Sequence, residues 1–150
     1  MPTEYRDLAD DEVEAARRII ADSFAEEPFA LGMFGDALDD RLAGMRTLWS
    51  TWPGDAPGWR IGAFDDGRLI GIVSATAEGH CHLCDEPAES LAPGASTGDR
   101  VEHEFQHLCR EAHRFSASPP HAHIPSVAIV DASRGSGLGA RLVGHALTRM

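Results

Sequence analysis

Three short stretches of this sequence carry residues whose types and spacing could do chemistry. The first is SVAIVDASRGSGLGARL, residues 126–142, where strand-forming residues run into a loop with glycines at 135, 137 and 139. A helix that opens just after a strand points unpaired backbone N–H groups, and the positive end of its dipole, at whatever sits in the loop. That makes an anion site. Glycines let a phosphate approach the backbone, and Arg134 adds a charged fork, so a pyrophosphate is the expected guest. Gly135, Gly137 and Ala140 also satisfy a relaxed dinucleotide fingerprint, G-x-G-x-x-A. That fingerprint needs a further strand with an acidic residue about 20 positions on, and only ten residues follow Ala140.

The second stretch, HEFQHLCREAH at 103–113, matches H-E-x-x-H with another histidine six positions on. One helical turn separates His103 from His107, so both could hold zinc while Glu104 served as base for a metal-bound water. Position 110 breaks the match. Zinc peptidases with this three-histidine spacing carry glycine there, so that the chain can turn and return the third histidine, and this sequence has Arg110. Helix phase agrees. At about 100° per residue, Val101, Phe105, Leu108, Ala112 and Phe115 fall within about 80° and are expected to face the core. His103 and His107 then lie on an opposite, solvated face, and a metallopeptidase acting through His103, Glu104 and His107 is kept as a remote alternative.

The third stretch is His80-Cys81-His82-Leu83-Cys84, in which Cys81 and Cys84 have the C-x-x-C spacing of a metal knuckle. His103, His107 or Cys109 could complete four ligands. Strong zinc signals show two well-spaced ligand pairs and this one does not, so free thiols, surface imidazoles and no metal are expected.

The 150 residues fit one domain, 43% hydrophobic and 25% charged, the composition of an ordinary globular protein. A net charge of −11 argues against nucleic acid or an anionic membrane surface as the main partner and tolerates a cationic amine. Every basic residue is Arg, and a Walker phosphate loop requires Lys. No apolar run approaches about 18 residues and the acidic N-terminus lacks an apolar segment, so a cytoplasmic address is expected. Three cysteines, an odd number, without a signal peptide suggest reduced thiols or a metal more than a disulfide framework.

The elements that must position these stretches can be read from periodicity. A strand near Glu4 to Leu8 precedes a helix capped by Asp10 or Asp11, with Val13, Ala16, Ile20 and Phe24 on one face, which Pro28 ends. A second helical pattern runs from about Asp36 to Pro53 through Leu38, Leu42, Met45, Trp49 and Trp52, aromatics most simply read as core. WRIGAFDDGRLIGIVSAT then reads as a hairpin, since Asp-Gly supplies the positive backbone angles of a tight turn. Residues 79–99 read as a loop and Asp99 to Phe115 as a third helix, broken by Ser118-Pro119-Pro120. A strand over Ile124 to Val130 feeds the glycine loop, and Leu138, Leu142 and Ala146 begin the last helix.

Arg134, Gly137 and Gly139 in the pattern R/Q-x-x-G-x-G/A, preceded by Val127-Ala128-Ile129, resemble the acyl-CoA-binding motif of the GNAT superfamily of N-acyltransferases. The order of strand, two helices, DDG hairpin, strand and glycine loop is similar too. The resemblance covers most of residues 4–150, with 79–122 a longer connection than the family usually shows. It implies an α/β fold of the α+β type, with a mixed, mostly antiparallel sheet flanked by helices. It further implies one acetyltransferase domain over 1–150 that lacks its C-terminal strands, since the family continues with another strand, a helix and usually a tyrosine that protonates the departing thiolate. Asp131 stands where the family often has proline.

By the same resemblance, Val127, Ala128 and Ile129 would lie along the pantetheine arm, and Arg134, Gly135, Ser136, Gly137, Leu138 and Gly139 would hold the pyrophosphate of acetyl-CoA. The reaction implied is direct transfer of an acetyl group from that co-substrate to a primary amine on a small molecule or peptide, and a homodimer is an allowed assembly. His121 and His123, just upstream of the strand, are the nearest candidates for a general base. A catalytically silent CoA-binding or zinc-stabilised interaction module is the alternative.

Overall fold

A computed structural model describes residues 2–81, 90–116, 118 and 120–150. Strand β1 (Glu4–Asp7) leads through a short 3-10 turn into helix α1 (Val13–Phe24), followed by α2 (Pro28–Phe34) and α3 (Leu38–Leu48). Strands β2 (Gly58–Asp65) and β3 (Arg68–Thr76) form the hairpin, α4 (Thr97–Ser116) follows, and β4 (His123–Ile129) leads to α5 (Leu138–Leu147). The sheet order is β1-β2-β3-β4. The expected antiparallel character holds for every neighbouring pair, and no parallel pairing occurs among the described residues.

The hairpin turn forms as the sequence requires, with Asp66 at φ 51° and Gly67 at φ 74°, the pair of positive angles that matches the twist of the flanking strands. Alternation along the strands then sorts the core into two layers. Ile72 and Ala128 pack with Ala16, Ile20, Trp52 and Phe64 under α1. Ile61, Ala63, Val73 and Ala75 pack with Leu138, Leu142 and Ala146 of α5 on the other face. Burying a large side chain such as Leu142 contributes about 1.5–3 kcal/mol.

Two helix boundaries differ from the sequence reading. Pro28 does not end a helix. It opens a separate one, α2, in the first turn, where its missing N–H would have had no intrahelical partner. The second helical pattern stops at Leu48 and tightens into a 3-10 turn over Trp49–Thr51. Helix α4 starts at Thr97 because Ser96 caps it. The Asp99 N–H donates to Ser96 Oγ at 3.1 Å, and Asp99 Oδ2 accepts from the Ser96 N–H at 2.8 Å. The Ser96 hydroxyl also donates to Asp99 Oδ2 at 2.7 Å, and this bond foremost, with the one from the Ser96 N–H, holds the Asp99 carboxyl below its ordinary value.

The expected core stripe of α4 is the larger correction. Phe105, Leu108 and Phe115 are 43%, 64% and 89% exposed, whereas Glu102, Gln106, Cys109, Arg110 and His113 on the other side are half-buried. Periodicity established the helix but not which face turns inward. Only the N-terminal half finds apolar partners, where Phe29 meets Phe105 at 4.3 Å between ring centroids and Gly32 lies under Val101.

At the start of the chain, Glu12 accepts two hydrogen bonds from Arg6, at 2.6 and 2.8 Å, and one from the Ala9 N–H at 2.8 Å. The Arg6 hydrogen bonds, reinforced by the Ala9 N–H, pull the Glu12 carboxyl down to about 2 from an ordinary 4.5, against the opposing effect of burial. A carboxyl depressed on folding stabilises the native state above its unfolded value and loses that contribution as pH falls through the folded one. Thermal stability is therefore expected to decline between pH 4.5 and 2 partly through Glu12. Melting curves of Glu12→Gln across that window should show a flatter acid limb than the parent, and parallel limbs would count against this.

Candidate active site

Strand β4 is the last strand of the sheet among the described residues, so one of its edges has no neighbouring strand. The hydrogen-bond phase decides what that edge offers. Val130 N–H donates to Ile70 C=O at 3.0 Å, and the register pairs Ala128 with Ile72 and Ser126 with Ser74. In an antiparallel ladder alternate residues face the same way, so 126, 128 and 130 bond to β3 while Val127 and Ile129 turn their backbone groups outward. Ser23 of α1 reaches this edge and donates to the Ile129 carbonyl at 3.2 Å. Pro125 falls in the outward set, where its missing N–H costs no ladder bond.

Beyond β4 the chain makes a 3-10 turn over Asp131–Ser133 and enters α5 through Gly137, which caps the helix at φ 75°. Gly135 is likewise at φ 76°, and a Cβ there would meet nothing within 4 Å. Gly139 does something other than clear space for a phosphate: its Cβ would lie 3.1 Å from Ile129 Cδ1, so its absence lets α5 pack against β4. Arg134 is engaged with Asp131 at 3.0 Å. The Asp131 side chain is 89% exposed, and such a pair is worth about 0–1 kcal/mol, weak enough for a phosphate to displace the carboxylate. A second cation escaped the sequence reading. Arg141, one turn into α5, donates to the Ser136 carbonyl at 3.1 Å and to Tyr5 Oη at 2.8 Å, which holds its guanidinium beside the loop.

At the other end of β4 lies a cavity of about 450 Å³. Phe24, Phe29, Trp49, Trp52 and Phe105 supply its aromatic wall, and Glu102, Arg60, Ser74 and His123 are among its polar lining. Arg60 is turned to the Gly54 carbonyl at 3.3 Å, and Ser74 shares a 2.6 Å hydrogen bond with Ser126. Cys109 also lines the cavity, and burial pushes its thiol up, which suits an inert side chain better than a nucleophile. Of the two histidines proposed from sequence, His123 lines the cavity. His121 is drawn away to His113, with the two Nε2 atoms 2.6 Å apart. Periodicity assigns Phe24, Trp49, Trp52 and Phe105 to apolar faces, and Phe24, Trp49 and Trp52 do pack with the core. That they also enclose a space follows from where α4 crosses them, which no local pattern encodes.

His113, the third histidine of the H-E-x-x-H stretch, does not return to His103 and His107, because α4 runs unbroken through Arg110. His107 and Glu104 are exposed. Among the described residues the one group of three metal-capable side chains is Cys81, His113 and His121. Cys81 is buried, and Cys84 lies outside the described residues. No helix among the described residues is long and apolar enough to cross a membrane.

The sequence model of the acetyltransferase (GNAT) family matches residues 3–150, while no curated protein matches the chain. Among solved structures, a Corynebacterium glutamicum protein described as histone acetyltransferase HPA2 and related acetyltransferase is 18% identical at TM-score 0.65, covering 99% of this chain and 72% of its own. A polyamine N-acetyltransferase of Drosophila melanogaster, which forms N-acetylagmatine, is 22% identical at TM-score 0.59, with 99% of this chain and 70% of its own covered. A GNAT family acetyltransferase from Brucella melitensis, solved in complex with acetyl-CoA, is 12% identical at TM-score 0.53, with 99% and 68% covered. These likenesses bear on the fold. The family match over nearly the whole chain, together with a glycine-capped helix directly after an edge strand, shows that the chain belongs to the acetyltransferase (GNAT) family.

Proposed function

We propose that this chain transfers an acetyl group from acetyl-CoA to the primary amine of a small molecule with a compact apolar or aromatic body. The observation that carries this is the outward phase of Val127 and Ile129 on an edge strand that ends at a helix N-terminus and begins at an aromatic cavity. Acetyl-CoA, when bound, supplies the thioester whose carbonyl the amine attacks.

The residues have separable tasks. Backbone N–H groups at 135–139, with Arg134 and Arg141 beside them, hold the diphosphate. Outward groups of Val127 and Ile129 pair with the amide-bearing arm as another strand would, and Ala128 supports that segment by packing inward. A backbone N–H of this strand stabilises the negative charge that develops on the carbonyl oxygen. In the cavity the aromatic wall excludes water and accommodates the acceptor body, Glu102 attracts its ammonium, and His123 takes the proton that the amine must lose. Attack forms the C–N bond, cleavage of the C–S bond releases the CoA thiolate, and the net proton from the amine ends on that thiol. The amine acceptor of the Drosophila relative supports an amine as the acceptor, while the apolar or aromatic body is inferred from the cavity wall alone.

Two experiments test the two halves of the site. At Gly135 the left-handed backbone tolerates Asp and Asn nearly equally, so Gly135→Asp and Gly135→Asn differ mainly in charge. The aspartate is expected to weaken acetyl-CoA binding at least ~10-fold beyond the asparagine, about 1.4 kcal/mol. Equal affinities by calorimetry would remove the anion from this loop. For the acceptor half, thiol release is measured with a panel of amines. Arylalkyl and alkyl amines should outperform their neutral hydroxyl analogues, and Glu102→Gln should raise KM for cationic acceptors about 10-fold at similar kcat. His123→Gln should lower kcat by about 10²-fold or more; an unchanged kcat would assign proton removal to another group.

A further inference from the structure

We propose that Cys81, His113 and His121 bind a zinc ion beside the acceptor cavity, fastening the end of α4 to the entrance of β4. The three residues come from the segment after β3, the last turn of α4 and the approach to β4. Cys81 Sγ lies 3.1 Å from His113 Nε2, which lies 2.6 Å from His121 Nε2, and the three ligand atoms are all within 4.8 Å of one another. With Zn–S near 2.3 Å and Zn–N near 2.0–2.1 Å, a tetrahedral site has sulfur–nitrogen edges of about 3.5 Å and nitrogen–nitrogen edges of about 3.3 Å. The Cys81–His113 and His113–His121 edges would lengthen by less than ~1 Å to reach those dimensions, and the Cys81–His121 edge, within 4.8 Å, would settle near the S–N value. His123 Nδ1, 3.6 Å from the same sulfur, stands next to the three ligands.

Hydrogen bonding explains this cluster less well than an ion does. A ring nitrogen carries either one N–H or one in-plane lone pair, yet His113 Nε2 faces a thiol and a second imidazole nitrogen together. An ion between them accepts a lone pair from each donor at once. A nucleophilic role for the thiol would need an approach path, and Cys81 is 3% exposed. One thiolate and two imidazoles form the borderline-soft donor set that zinc prefers, and binding sends the thiol proton to solvent. The site would join the end of α4, where Leu108 and Phe115 face outward, to the entrance of β4.

The test uses the whole chain, untagged and purified without chelator, with metal content read by mass spectrometry. About one zinc per chain is expected, and removal by a chelator should lower Tm, with zinc re-addition restoring it. Cys81→Ser and His113→Asn should each lose the metal, while the double variant His103→Ala/His107→Ala should keep it. Cobalt substituted into the parent protein should give the near-ultraviolet thiolate-to-cobalt band, a readout that requires no variant to fold. A folded parent that holds less than roughly a tenth of an equivalent and takes up neither added zinc nor cobalt would overturn the site. Full zinc in the Cys81 and His113 variants, or loss in the His103/His107 variant, would overturn the assignment equally.

Discussion

The phase of a single ladder governs this molecule. Because Val130 N–H bonds to Ile70 C=O, Ala128 and Ser126 are committed to β3, and Val127 and Ile129 are left to the open edge. The same phase sets the side-chain faces: Ala128 enters the layer under α1, and Val127 and Ile129 lean on the layer under α5. A slip of one residue would exchange both sets at once, turning the wrong backbone groups outward and presenting Val127 to α1. Packing and the outward phase of the open edge are therefore one constraint. The strand cannot keep its core while exchanging the groups on its open edge, or the reverse.

Helix α5 is held to the sheet by the burial of Leu138, Leu142 and Ala146 and by close approach at two glycines. A Cβ at Gly71 would meet Leu142 Cδ1 at 3.0 Å, and one at Gly139 would meet Ile129 Cδ1 at 3.1 Å. With neither present, the helix seats near the sheet and its first turn opens in line with the end of β4. Within one short loop the glycines thus divide the work. Gly135 and Gly137 supply backbone angles that an L side chain rarely adopts, and Gly139 supplies contact. Tyr5 stacks on His145 at 4.2 Å between ring centroids and accepts from Arg141, so the first strand helps aim a cation at the anion loop.

Much of this was legible in the sequence because the signals were local. The Asp66-Gly67 turn, the apolar runs beside it and the passage from strand through glycines to helix each depend on residues a few positions apart, and each formed where the pattern put it. Pro28 misled because proline suits the first turn of a new helix as well as the end of an old one. Helix α4 misled for another reason. Its 3.6-residue period was correct, but a period says only that two faces differ, and the partner surfaces choose which one turns in. His113 had been read against His103 and His107 on its own helix, whereas its partners, Cys81 and His121, lie on segments that the fold alone brings together. The aromatic cavity has no sequence signature for the same reason.

The reversed helix shapes the aromatic cavity. Glu102, Phe105, Gln106 and Cys109 of α4 form one of its walls, so the cavity exists only as long as α4 stays where it is. Its N-terminal half is secured by the Ser96–Asp99 cap and by α2. Its C-terminal half rests on polar side chains, which contribute to stability only when their partners are well placed, since a buried polar group left unmatched costs about 1–3 kcal/mol. The close contacts of His113 with Cys81 and His121 sit next to His123, a lining residue of the same cavity. The cavity wall is therefore tied to a polar junction as well as to apolar packing on α2, and whatever strengthens or breaks that junction reaches residues that line the cavity.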